Sequence, residues 1–93
     1  MATVQVRIPT VLRPAAAGQS QVAVDGAQVG QVVTQLIADY PGLEANLVDE
    51  NGKVRKFVNI YLNDEDIRFL EQLETAVTDG DEVAILPAVA GGQ

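Results

Sequence analysis

The stretch QVGQVVTQLIADYPG, Gln28 to Gly42, decides the fold class. Within it Val29, Val32, Val33, Leu36, Ile37 and Tyr40 fall at i, i+3, i+4, i+7, i+8 and i+11. That spacing is one broad apolar stripe with the period of an α-helix. Pro41 and Gly42 then stop the helix. Its start is less well marked, because neither Ala27 nor Gln28 is a good N-cap, and the role passes to Asp25 or Gly26. Gly30 costs about 0.5–1 kcal/mol against alanine inside a helix, and is expected to allow close packing on a sheet. A helix with a single apolar face needs a second layer to bury it.

That layer lies on both sides of the stretch. Upstream, residues 3–8 alternate, with Val4, Val6 and Ile8 on one face, and Gln21 to Val24 alternate again, with Val22 and Val24 inward. Period two marks half-buried strands. Pro9, Pro14 and Gly18 make the segment between them a loop, and Asp25-Gly26 ends the second strand, so the pair reads as a hairpin. Downstream, Leu43 to Leu47 suits a short turn of helix, and Asp49 to Lys56 is polar and turn-like around Asn51-Gly52. Phe57 to Asn63 is a strand with Val58, Ile60 and Leu62 on one face and Phe57 and Tyr61 on the other. Asn63-Asp64-Glu65-Asp66 and Asp79-Gly80-Asp81 have turn chemistry. Glu82 to Leu86 is the last strand, with Val83 and Ile85 inward and Leu86 consequently outward, and Pro87 closes it. Hairpin, helix and returning strands make an α+β protein, a mixed sheet packed on one main helix.

Composition narrows the function. The chain has 93 residues, 47% of them hydrophobic, which suits one folded domain with a modest core. Thirteen acidic against six basic residues give a net charge of -7, a field that repels phosphate backbones, so no nucleic-acid partner is expected. No apolar run approaches the roughly 20 residues of a membrane span, and no signal peptide opens the sequence; a cytoplasmic protein is expected. The chain contains no Cys and no His, which removes thiol nucleophiles, imidazole-based triads and thiolate or imidazole metal sites. The Asp64-Glu65-Asp66 cluster lacks the glycine and distal glutamate of a calcium loop and reads as a solvated turn. Arg13 and Arg68 read as surface or structural residues. No metal site, no bound cofactor and no catalytic residue is expected, and the chain is not expected to be an enzyme.

What remains is the end of the chain, Ala88-Val89-Ala90-Gly91-Gly92-Gln93. A Gly-Gly near a terminus means little alone, since frayed tails are often glycine-rich. Here it follows Ile85-Leu86-Pro87 at the end of a strand. Four segments together carry a resemblance that spans essentially the whole chain: Ile8 to Arg13, Tyr40-Pro41-Gly42-Leu43, Phe57 to Arg68, and Gly80 to Gly92. The chain resembles the MoaD/ThiS family of ubiquitin-like sulfur carriers, and the third and fourth segments look most like its CysO type, the carrier for cysteine synthesis.

The resemblance implies a β-grasp domain over residues 1–87 and a flexible tail over 88–93. It implies that the terminal glycine carboxylate is adenylated by an E1-like enzyme using ATP, with ATP held by that partner. The adenylate then becomes a thiocarboxylate whose sulfur passes to an acceptor. For the CysO type the acceptor is an aminoacrylate on a pyridoxal-phosphate cysteine synthase, and a JAMM-type metalloprotease releases the cysteine. Gly91 and Gly92 are thus the sulfur-carrying end, and Leu86 and Pro87 belong to the apolar surface gripped by the E1-like enzyme. Phe57 and Tyr61 either pack across the strands or join that docking surface. Gln93 departs from the family, whose carriers act with glycine last, so it is either trimmed by a JAMM-type protease or a residue left by cloning. Three other functions stand beside this one: the small subunit of molybdopterin synthase, a modifier joined to lysines as ubiquitin is, and a plain binding module with an inert tail.

Overall fold

The computed structural model describes residues 2–51, 53–55 and 58–87, and for Pro87 only the backbone. Among the described residues five strands form one mixed sheet: β1 (Ala2–Arg7), β2 (Gln21–Gly26), β3 (Val58–Leu62), β4 (Glu65–Asp66) and β5 (Glu82–Pro87). Their order is β2-β1-β5-β3-β4. β1 and β2 are antiparallel, with Val4 opposite Val24 and Val6 opposite Val22, which is the hairpin expected from the alternation. β5 runs parallel to β1, placing Val6 opposite Val83. It runs antiparallel to β3, placing Ile60 opposite Ile85. The last described strand in sequence is therefore the middle strand in space.

Helix α1 (Val29–Asp39) packs on one face of this sheet. Val29, Val32, Val33 and Leu36 are buried against Val4, Val6, Val24, Ile60, Val83 and Ile85, while Ile37 and Tyr40 sit at the margin. Leu43 and Leu47, on the 3-10 turn Pro41–Leu43 and the short helix α2 (Glu44–Leu47), close the end of the core. With aromatics so few, β-branched and leucine side chains do the filling. Their alternation on each strand decides which face meets α1.

Four details differ from the sequence reading. The segment after Pro9 is not a plain loop: Thr10–Ala16 is a 3-10 helix that buries Leu12 and Ala16, and the chain leaves it through Ala17 and Gly18, both at positive φ. Pro14 is tolerated there because so short a helix has few ladder bonds to lose.

The N-cap of α1 is Gln28, without a side-chain cap, rather than Asp25 or Gly26. The Ala27 amide instead donates to the Gln31 side chain at 2.8 Å, and Val29 donates to the Thr75 carbonyl at 2.9 Å. Gly30 faces not the sheet but Leu73, whose carbonyl oxygen lies 3.1 Å from where a Cβ would stand.

Finally, residues 67–77, to which the sequence patterning assigns no element, fold back onto α1. Two 3-10 turns, Ile67–Phe69 and Gln72–Glu74, lead into Thr75 and Val77, which are buried. Val77 donates to the Ala27 carbonyl at 3.1 Å. This segment, and not a side-chain cap, satisfies the start of α1.

Candidate functional site

The candidate site is the far end of β5 and the open sheet face beside it. Along β5 the alternation holds: Val83 and Ile85 are buried under α1, while Ala84 and Leu86 turn to the open face. Leu86 is 47% exposed, although it lies in the middle strand of five. The register sets Leu86 opposite Asn59, Ala84 opposite Tyr61, and Val58 opposite Pro87. Tyr61 is therefore the diagonal neighbour of Leu86 on the same face, within the reach of cross-strand side-chain contact. Tyr61 is half-buried. Of the docking residues read from the sequence, the fold thus unites Leu86 and Tyr61. Phe57 lies outside the described residues, as do Gly91, Gly92 and Gln93 and the whole of the tail 88–93.

Polar groups frame the apolar end. Arg7 on β1 reaches Glu82 on β5 at 3.7 Å, both well exposed, a geometry worth little in water. Beyond it a cleft of roughly 530 Å³ is lined by Arg7, Pro9, Thr10, Arg13, Asp64 and Leu86. The 3-10 helix Thr10–Ala16 builds one wall of this cleft, and Arg13 is fixed in it by donating from Nε to the Ile8 carbonyl at 3.1 Å. That bond gives Arg13 a structural role, as read from the sequence. A larger cleft of about 680 Å³ opens on the outer side of α1, between Ile37, Val48 and Leu73, but no residue of β5 lines it.

The acidic turn is not wholly solvated. Asp64 and Glu65 are exposed, but Asp66 is buried and accepts from the Arg68 backbone amide at 2.9 Å, capping the turn Ile67–Phe69. Its carboxylate also takes three bonds from the Arg68 guanidinium, the shortest 2.7 Å. Those side-chain bonds first, and the backbone amide second, hold the Asp66 carboxyl below its ordinary pKa, and the same pair raises that of Arg68. Asp81 is likewise lowered, first by the Thr78 amide and then by Asn63. These groups stabilise turns, and none faces the end of β5. Among the described residues no group of three His, Cys, Asp or Glu side chains could hold a metal.

The sequence reading passed over two exposed apolar side chains, Val11 at 71% and Phe69 at 82% exposure. Both sit on 3-10 turns, where no periodicity marks a side chain as outward.

Comparison with known proteins agrees with this architecture. The ThiS family model matches residues 6–92. The sulfur carrier protein CysO of Mycobacterium tuberculosis is 53% identical over 91 residues, covering 96% of this chain and 98% of that protein. A crystal structure of that CysO superimposes with a TM-score of 0.84 at 51% identity, covering 92% of this chain and 99% of the other. The CysO chain matched in the Amycolatopsis orientalis BexX/CysO complex gives 0.86 at 46% identity, over 96% of this chain and 99% of that one. Small archaeal modifier protein 3 of Haloferax volcanii is 43% identical over 68 residues, 73% of each chain. Among the described residues no helix is long and apolar enough to cross a membrane. A mixed β-grasp sheet and a match along nearly the whole chain together assign it: the chain belongs to the ThiS/MoaD family of ubiquitin-like sulfur carrier proteins.

Proposed function

We propose that this chain carries sulfur as a thiocarboxylate on Gly92, after removal of Gln93, and delivers it in biosynthesis, with cysteine as the product. The observation that carries the reading is the position of β5. The strand that leads to Gly91-Gly92 is the middle strand of the sheet, bonded on both edges to β1 and β3. A tail leaving from there starts at a fixed place beside Leu86. The 53% identity to a sulfur carrier supports the function, and the family match ends at Gly92, with Gln93 beyond it.

The chemistry accounts for the residue types. A chain-end carboxylate is a poor electrophile. Attack of a carboxylate oxygen on the α-phosphorus of ATP forms the acyl-adenylate and releases pyrophosphate; a sulfur nucleophile then displaces AMP at the carbonyl carbon. An E1-like partner binds the ATP. Glycines suit such a site because the backbone lacks Cβ atoms and its carbonyl is unhindered. The six residues from Ala88 to Gln93 reach at most about 20 Å at ~3.3 Å each, so the partner must dock against the domain itself, and the exposed Leu86 beside Tyr61 is the surface for it. The relative crystallised with BexX is a CysO bound to another protein, which supports a docking role for this domain. The chain acts as a carrier and the catalysis belongs to its partners: the E1-like enzyme, a pyridoxal-phosphate cysteine synthase and a JAMM-type metalloprotease.

Intact-mass measurement tests this. A chain ending at Gly92, incubated with the E1-like enzyme, ATP and a sulfur donor, should exchange one carboxylate oxygen for sulfur. The chain ending at Gln93 should stay unchanged until a JAMM-type protease is added. Sulfur loading on an untrimmed Gln93 would overturn the assignment of Gly92. Ladders of higher-mass conjugates instead of a thiocarboxylate would favour the modifier reading.

A further inference from the structure

The two outer edges of the sheet are built differently. One edge, β4, is only two residues long, enters from Asn63 and Asp64 at positive φ, and ends at once in a 3-10 turn. Such an edge offers little to another strand. The other, β2, has six residues, reads Gln-Val-Ala-Val-Asp-Gly, and contains no Lys, Arg or Pro. Of the usual protections of an exposed edge it carries a single charge, Asp25.

The hydrogen-bond phase of β2 follows from one bond. The Ile8 amide donates to the Ser20 carbonyl at 2.8 Å, continuing the β1–β2 register by one pair. Bonded and non-bonded pairs alternate along an antiparallel ladder. Ser20, Val22, Val24 and Gly26 therefore turn their backbone groups toward β1, and Gln21, Ala23 and Asp25 turn theirs away. The far side of β1 confirms the phase, since Gln5 donates to Asp81 in the direction of β5. Among the described residues nothing accepts from or donates to the outward backbone groups of Gln21, Ala23 and Asp25, and all three residues are exposed.

We propose that β2 is a self-pairing edge: a second copy of this chain adds antiparallel to it about a two-fold axis at Ala23. The register is self-complementary. Ala23 faces Ala23 of the second copy, where any larger or charged residue would meet its own kind. Gln21 faces Asp25, so the only charged residues on this edge meet an amide and not each other. All three outward-facing residues fall in bonded pairs, and the two sheets become one. Gln21 already donates to Gln5 at 3.0 Å, and Asp25 accepts from Thr3 at 2.6 Å, so both side chains are held on the open face and tied to β1. A single pair of strands is a small interface, of the transient class, and two chains of charge -7 repel one another. The dimer should therefore form at high concentration and strengthen with salt, the reverse of an ion-paired interface.

Sedimentation equilibrium of the full chain from about 10 μM to about 1 mM reads this directly. A dimer fraction that rises with concentration and with salt is the expected result, and Ala23→Pro should abolish it. That change deletes an amide that β1 does not use, which edge strands tolerate. Should Ala23→Pro fail to fold, a cysteine decides. The chain has no Cys of its own, and bonded pairs hold their Cα atoms about 5.5 Å apart, within disulfide range. Ala23→Cys should oxidise to a covalent dimer at least tenfold faster than Ala38→Cys, an exposed position on α1. A monomer at 1 mM in high salt, or equal oxidation rates for the two cysteines, would overturn the pairing and leave the edge open to a strand from another protein. A dimer that survives in folded Ala23→Pro would overturn it equally.

Discussion

Asp66 and Gly26 show how single residues hold this fold. Asp66 is a buried carboxylate with a lowered pKa, so folding favours its ionised form. Its stabilisation is complete above the ordinary carboxylate value near pH 4 and is lost as pH falls through the lower folded value. Asp66→Asn keeps a side chain able to cap the turn but gives up the ion pair with Arg68. The variant should melt below wild type at pH 7, and the gap should narrow steadily below about pH 4 in a series of calorimetric scans. A gap that is constant with pH would mean the carboxylate charge contributes nothing.

Gly26 is needed for space: a Cβ there would stand 2.9 Å from Val32 Cγ2 and 3.0 Å from the Val32 amide nitrogen. A backbone atom cannot swing aside. Gly26→Ala should cost about 1–3 kcal/mol, as overpacking does, and each kcal/mol lowers Tm by about 4–8 °C in a domain this size. In sequence Gly26 reads as the end of a strand and a candidate helix cap. Its contact with the first turn of α1 depends on a packing distance that no local pattern contains.

At the scale of elements, the strands and α1 were legible because each repeats a period long enough to count. Val4-Val6, Val22-Val24, Val58-Ile60-Leu62 and Val83-Ile85 all face the helix as their alternation requires. The 3-10 segments were not legible. Three residues such as Ile67–Phe69 make one turn and carry no period, and Pro14 inside Thr10–Ala16 argued for a loop. The lacing of Thr75 and Val77 to the start of α1 joins residues far apart in sequence, which is why the N-cap was misplaced.

β5 provides the sharpest test of the alternation. Leu86→Glu adds charge to an exposed side chain, so its Tm should stay within the change expected of a surface substitution, about 0.5 kcal/mol. Binding to the E1-like partner, measured by calorimetric titration, should weaken at least tenfold, because a charge enters a surface that must become dry. Ile85→Glu, one residue away, should prevent folding. If Leu86→Glu unfolds the domain, Leu86 is core; if it folds and binds normally, the partner docks elsewhere.

At the scale of the whole molecule, the carrier reading requires stability and function to sit in different parts of the chain. The described core ends within β5. Its buried side chains run from Ala2 to Ile85, and both edges of β5 are already paired within that span. The last segment, Ala88 to Gln93, contains only Ala, Val, Gly and one Gln. Ordering a backbone residue costs about 1–2 kcal/mol, which the side chains of Ala and Gly alone bury too little area to offset. On the proposed function the same small side chains become an advantage in a partner's site, where ATP has to come close to the carbonyl. Removing Gly91 to Gln93 should therefore abolish sulfur loading in the mass assay while leaving Tm nearly unchanged. A fall of more than about 4–8 °C, which corresponds to roughly 1 kcal/mol in a domain of this size, would show that these residues belong to the folded core. Full loading of the truncated chain would show that the reacting carboxylate does not have to be Gly92. With Tm unchanged and loading lost, the sheet serves as the handle by which partners grip the chain, and Gly92 as the only place where its chemistry occurs.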